Sequence, residues 1–265
     1  MICQPIKYYQ RAIIAVCSIL LIVLFYTYLS RRQHQINPDD TTIPTWAQLA
    51  KGVQQVVTPN YRSGERWLIV DLKATGTRLA IGLGISIIGA IIIGLLMGCI
   101  AHVESFFIPI FCLCSIPPTA VLAVFFVLVD TDIKLYVLMI AFGILPSMTT
   151  NICSAIKEIP AEFIYKSYTL GGSHMEAIWN IVFRYVLPNI INSVKTQMGP
   201  ALIYLIAAEM LCSNNGIGFR VRLESHKTRM DIVYPYLIML ASFSLTVDYF
   251  LKKLRDLLCP RYIKK

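Results

Sequence analysis

IPAEFIYKSYTLGGSHMEAIWNIVFRYVLP, residues 159–188, is a polar stretch set between long apolar runs. Unsatisfied polar groups in hydrocarbon cost several kcal/mol each, so this segment belongs in water or against another protein. Within it, Pro160 suits a first helical turn and Glu162 suits the positive N-terminal end of a helix from 159 onward. Leu170-Gly171-Gly172-Ser173 then interrupts that helix, because glycine accepts the left-handed conformation that ends a helix and Ser173 can cap the next. Ala177, Ile178, Ile181, Val182 and Tyr185 form an apolar stripe on the second helix, and Leu187-Pro188 marks re-entry into the membrane. The expected product is a short helix–turn–helix outside the bilayer, its glycine turn open to a close partner.

Composition supports the membrane reading of the flanks. The chain has 265 residues, 56% hydrophobic and 15% charged, with a mean hydropathy of +0.63. Soluble domains carry about 25% charged residues and about 45–50% apolar ones. A spanning helix needs about 20 predominantly apolar residues. Six such windows fall at about 12–29, 77–101, 106–129, 135–154, 187–211 and 232–251. Their length selects helix over barrel strand. The fold class is therefore all-α, a polytopic membrane protein with about six transmembrane helices. The first run resembles a signal peptide but is long and followed by Arg31-Arg32 instead of a small-residue cleavage site, so a retained span is expected.

Between the first two spans, Thr45 is placed to cap a short helix from Trp46 to Val57. Its apolar residues recur every three or four positions, as in a helix lying on the membrane surface. The second span carries Gly94-Leu95-Leu96-Met97-Gly98, which lets helix backbones approach, either within the chain or at a dimer seam. Pro117 and Pro118 in the third run either break a span along a transport pathway or simply start a helix. Glu209, at the end of the fifth run, is either a gate or pathway residue or a hydrogen-bonded helix terminus. Gly216 and Gly218 follow in a loop that composition makes flexible, either part of the pathway or gate or a plain turn between spans. Lys195 and Asp248 lie inside spans and are candidates for an ion pair.

Several function classes are disfavoured. The net charge of +9 sits mostly between and after apolar runs, where lysine and arginine anchor spans, with no aromatic interleaving of the kind single-stranded nucleic acid needs. The eight cysteines contain no C-x-x-C pair, and His34, His102, His174 and His226 are scattered, so no metal site is expected. No nucleotide-binding Walker sequence, H-E-x-x-H or G-x-S-x-G is present, so no catalytic residue is assigned and the chain is not read as an enzyme. The lysines and arginines of alternate loops divide evenly, so charge alone leaves the orientation open.

The segment Thr169-Leu170-Gly171-Gly172-Ser173, with Ile181 ten residues beyond Gly171 and then Leu187-Pro188, resembles the cytoplasmic "EAA" loop of ATP-binding-cassette importer permeases. Ala207-Ala208-Glu209-Met210-Leu211 followed by Asn215-Gly216-Ile217-Gly218 resembles the signature of the nitrate/sulfonate/taurine branch, and Ile116-Pro117-Pro118 also matches it. The resemblance covers roughly residues 71–258. It departs at Tyr165-Lys166-Ser167, where the family has Glu-Ala-Ala, and at Phe183-Arg184, where it has Leu-Pro.

The resemblance implies a permease subunit in the cell inner membrane with both termini cytoplasmic. It implies a cytoplasmic coupling helix in the loop 155–186, seated on a dimer of ATPase subunits that bind the ATP and Mg. It further implies a second permease copy, a periplasmic or extracellular solute-binding protein, a small oxyanion or sulfonate as cargo, and no cofactor in this chain. The domain division is then 1–70 (a span plus an extracytoplasmic amphipathic segment), 71–258 (the permease domain) and 259–265 (a basic cytoplasmic tail). The alternative is an ion-gradient-driven transporter or channel-like protein, which should show paired broken spans in two halves. Residues 77–154 and 187–251 show no such correspondence.

Overall fold

The structure is a computed structural model and describes residues 8–37, 40–59, 66–114, 116–129 and 133–258. The expected basic tail, 259–265, lies outside the described residues. All regular elements described are helical. Two compact units are present, the first made of the described residues up to Trp67 with Leu223–Leu237, the second of Leu68–Arg222 with the described residues from Ile238 on.

In the first unit, α1 (Tyr8–Ile36) contains the expected 12–29 run. α2 spans Trp46–Val57, the bounds read from the sequence, and Thr45 caps it in a reciprocal capping box with Gln48. Gly52 lies so close to Asp231 that a Cβ there would come 2.0 Å from the Asp231 carbonyl oxygen. The Tyr26 hydroxyl donates to Pro44 O at 2.6 Å.

The second unit holds the larger core. α3 (Trp67–Cys99) is followed by α4 (Ala101–Leu113), α5 (Pro118–Val129), α6 (Ile133–Lys157), α7 (Ala161–Thr169) and the short α8 (His174–Ala177). A π turn at Ile178–Val182 leads into α9 (Phe183–Cys212), then α10 (Ile217–His226) and α11 (Met230–Leu258). The centre is α6: Tyr136, Ile140, Ile144, Met148 and Ile152, four residues apart, are all buried. They meet α9 through Val186, Ile190, Met198, Ala201 and Leu205. The glycine pair on α3 packs inside the chain, since a Cβ on Gly94 would lie 2.9 Å from Ile152 Cβ and one on Gly98 2.8 Å from Ile156 Cβ.

The third run, 106–129, is divided into α4 and α5, which meet at 95° as a broken span or a re-entrant loop, because the Pro117-Pro118 pair removes ladder donors in its middle. Among the described residues three helices, α3, α6 and α11, are individually long and apolar enough to cross a membrane, or up to five spans if each bent pair counts as one. At Leu187-Pro188, where re-entry into the membrane is expected, the helix is continuous; α8, the π turn and α9 run on without a gap. Pro188 costs one backbone hydrogen bond, but it is itself buried between Val186 and Ile190, and that packing carries the helix through.

Candidate functional site

Two sites stand at the two ends of α9. The first is the foot formed by α7, α8 and the turn between them. Pro160 precedes α7, and Glu162 lies in its first turn. At its end Gly171 has φ +80°, Gly171 N donates to Tyr168 O at 3.0 Å and Gly172 N to Ser167 O at 3.0 Å. This is a Schellman closure, in which the two glycine amides satisfy carbonyls the helix leaves unpaired. The Thr169 hydroxyl bonds Lys166 O at 2.9 Å. Ser173 then caps α8: its hydroxyl accepts from Glu176 N at 3.3 Å, while Ser173 N donates to the Glu176 carboxylate at 2.9 Å. Those bonds hold the Glu176 carboxyl below its ordinary range.

No residue of α7 is buried. Leu170 is 88% exposed, and Phe163, Tyr165, Met175 and Trp179 are exposed as well. Of the expected stripe, Ala177 and Val182 are buried, Ile178 and Ile181 are half-buried, and Tyr185 is exposed. Leu187 is half-buried and Pro188 buried.

The second site is a buried polar node at the other end of α9. The Glu209 carboxylate, with no exposed surface, accepts from the Thr75 hydroxyl at 2.9 Å, Arg78 Nη1 at 2.8 Å and Gly218 N at 3.0 Å. Gly216 N donates to Asp71 Oδ1 at 3.1 Å, and Ile217 N to the Thr75 hydroxyl oxygen at 2.9 Å. The first amides of α10 are therefore capped by three side chains from other helices, where the helix dipole favours negative charge. Arg220 Nε donates to Asp71 Oδ2 at 2.9 Å, so the two buried carboxylates each face a guanidinium. Arg78 also donates to Asn215 O at 2.9 Å and lies 4.2 Å over the Tyr136 ring.

Both glycines of this loop are required. Gly216 has φ +111°, and a Cβ there would lie 2.7 Å from Glu209 Oε1. A Cβ on Gly218 would lie 2.6 Å from Ile206 O.

Sequence reading singled out Glu209, Gly216 and Gly218, which the structure brings together. It missed Asp71, Thr75, Arg78 and Arg220. The available signal was the spacing of Asp71, Thr75 and Arg78, four and three apart, which puts them on one face of α3. Pro117 and Pro118 line a cavity of about 530 Å³ with Tyr204, Ser147 and Thr150. Lys195 and Asp248 form the expected ion pair, 3.2 Å apart.

Residues 86–263 match the family model described as "Binding-protein-dependent transport system inner membrane component". The taurine transport system permease protein TauC of Escherichia coli is 24% identical over 190 residues, covering 71% of this chain and 69% of that protein. The nitrate import permease protein NrtB of Synechocystis is 24% identical over 208 residues, covering 77% and 76%. Among solved structures, an inward-facing conformation of the MetNI methionine ABC transporter superposes with a TM-score of 0.60 at 15% identity, covering 72% of this chain and 97% of that one. That likeness is one of fold.

Proposed function

The chain belongs to the family of binding-protein-dependent transport system inner membrane components, the permease subunits of ATP-binding-cassette importers, and on that premise we propose that the α7–α8 foot is its coupling element, seated on a partner ATPase dimer. It is a non-catalytic, multi-pass inner-membrane subunit. ATP and Mg are bound by the partner, and two permease copies alternate between outward and inward openings. The driving force is the difference in affinity of ATP and solute for the two states.

The observation that carries this reading is the bare foot. Phe163, Tyr165, Leu170, Met175 and Trp179 are exposed on a segment lying between the two closely packed helices α6 and α9. An apolar patch of this kind outside hydrocarbon needs a protein partner. Tyr165-Lys166-Ser167 makes that contact aromatic and basic where relatives of the resembling type present Glu-Ala-Ala.

The foot lies on the cytoplasmic side, with both termini there. At the opposite end Glu209, Gly216 and Gly218 act as a fixed brace that holds the loop before α10 for a soluble solute-binding protein. Pro117 and Pro118 flank the path. The cargo is a small oxyanion or sulfonate, in keeping with relatives named for taurine and nitrate.

Gly171→Asp tests the coupling role, because an L-residue with a charge must then occupy a left-handed position at the tip of the foot. The expected outcome is normal membrane insertion with loss of ATPase co-purification or of transport-linked ATP hydrolysis. Normal solute uptake by that variant would overturn the assignment.

A further inference from the structure

α6 and α9 form the most extensive helix pairing among the described residues, and each carries a polar face that the coupling role does not use. On α6, Ser147, Thr150, Asn151 and Ser154 recur at three- and four-residue spacing, and Glu158 follows four residues on, just past the helix. On α9, Asn189, Asn192, Ser193, Thr196 and Gln197 do the same. Such spacing gathers each set on one side of its helix.

The two faces line a cavity of about 350 Å³ between Asn151 and Ser154 of α6, with Glu158 just past that helix, and Asn189, Asn192 and Thr196 of α9, next to the foot. A second cavity, about 530 Å³ and lined mostly by apolar residues, takes Ser147 and Thr150 from the α6 face one turn along and reaches Pro117 and Pro118. Between the two helices, Gln197 Nε2 donates to Ser147 Oγ at 2.8 Å.

Asn151, Ser154, Asn192 and Thr196 are exposed on the chain. Facing lipid, amides without a partner would be heavily penalised. The apolar part of α3 shows what lipid favours: between residues 81 and 96 its exposed residues are Ile81, Ile85, Ile88, Ile92 and Leu96. The polar strip therefore meets water or solute.

We infer that this strip is the solute's track through the subunit, and that it holds its cargo by neutral donors. The inference rests on the permease reading above. The residues lining the cavity beside the foot include one carboxylate, Glu158, and no lysine or arginine. Asparagine amides and serine and threonine hydroxyls donate to the oxygens of a sulfonate or oxyanion. Without a counter-charge they bind weakly enough to let it leave, which conduction requires as much as entry. The chemical class is a small solute with several acceptor oxygens, passed along by hydrogen bonds.

The test uses the complete transporter, permease with its ATPase, in lipid nanodiscs. Asn192→Cys, Ser154→Cys and, as a lipid-facing control, Ile88→Cys are treated with 2-sulfonatoethyl methanethiosulfonate, which itself carries a sulfonate. Labelling of each site is read by peptide mass, so the native cysteines can stay. The expected result is that Asn192→Cys and Ser154→Cys react at least about ten times faster than Ile88→Cys, consistent with the gap between an aqueous and a lipid-buried thiol. Their rates should also change when the ATPase is trapped with vanadate.

Rates no faster than the control in both nucleotide states overturn the track. So does exclusion of the reagent together with oxidative cross-linking of Asn192→Cys between two copies, which would make the face a dry dimer seam. Each position reads the track independently should the other variant fail to assemble. ATPase co-purification is scored in the same samples. Labelling without ATPase keeps the track and removes the coupling role; ATPase without labelling does the reverse.

Discussion

The two ends of α9 solve the same local problem in opposite ways. Both carry a left-handed glycine at a helix boundary, Gly171 at the foot and Gly216 at the node. A Cβ built on Gly171 meets nothing within 4 Å, whereas one on Gly216 meets the Glu209 carboxylate at 2.7 Å. The foot's turn closes with bonds between neighbours in sequence, such as Gly172 N to Ser167 O. The node closes with bonds across the chain, Thr75 to Glu209 being separated by 134 residues. The node is thus complete within the chain, and the foot is a finished shape with an unfinished surface. The helix between them has 30 residues, about 45 Å at 1.5 Å per residue, which would carry a push on the foot towards the far end.

If that contrast is right, the largest single effect comes from the node. Glu209→Ala leaves the Arg78 guanidinium, the Thr75 hydroxyl and Gly218 N without their shared acceptor. Removing one partner of a buried pair costs about 3–5 kcal/mol. The expected result is a sharp fall in the thermal midpoint and yield of the solubilised protein. An unchanged midpoint would show that the node does not brace this end.

Next comes one substitution made at both ends. Gly171→Ala should cost only the left-handed conformation of an L-residue, about 1–2 kcal/mol. Gly216→Ala pays the same and must also displace the Glu209 carboxylate, adding about 1–3 kcal/mol for overpacking. Thermal stability of the two variants, compared side by side, checks the ordering. Equal losses would erase the distinction between a free and an enclosed turn.

The same distinction explains what the sequence made legible. The foot could be read because its determinants are local: a proline and a glutamate at the start of α7, two glycines at its end, a serine before α8. Even so, the Glu176 half of the capping box went unnoticed. α3 begins at Trp67, ten residues before the expected span at 77, so it carries the polar residues Asp71 and Thr75 as helix. Asp71, Thr75 and Arg78 look like a polar approach to a span, and only their distant partners make burial of Asp71 and Thr75 affordable. The polar strip on α6 and α9 was dispersed among apolar residues and surfaces only once the two helices are side by side.

The capping box offers the smallest test, and it is confined to the foot. Ser173→Ala removes one acceptor at the start of α8 and should cost about 1 kcal/mol. That loss is readable as faster amide exchange over 173–177 with the node's exchange unchanged. Glu176 adds a pH signature. Its carboxyl is held below the ordinary value by the bonds from Ser173, so its contribution is fully present above that ordinary value. It disappears as pH falls through the lowered folded value. Exchange protection around Ser173 should accordingly be flat near neutral pH and weaken only below about pH 4, the ordinary glutamate range. Glu176→Gln keeps an acceptor for Ser173 N but cannot titrate, so at each pH it supplies the reference for intrinsic exchange. The two proteins should therefore differ in protection near neutral pH and converge on the acid side, where Glu176 is protonated; no difference at neutral pH would show that the box is held by something other than the carboxylate charge.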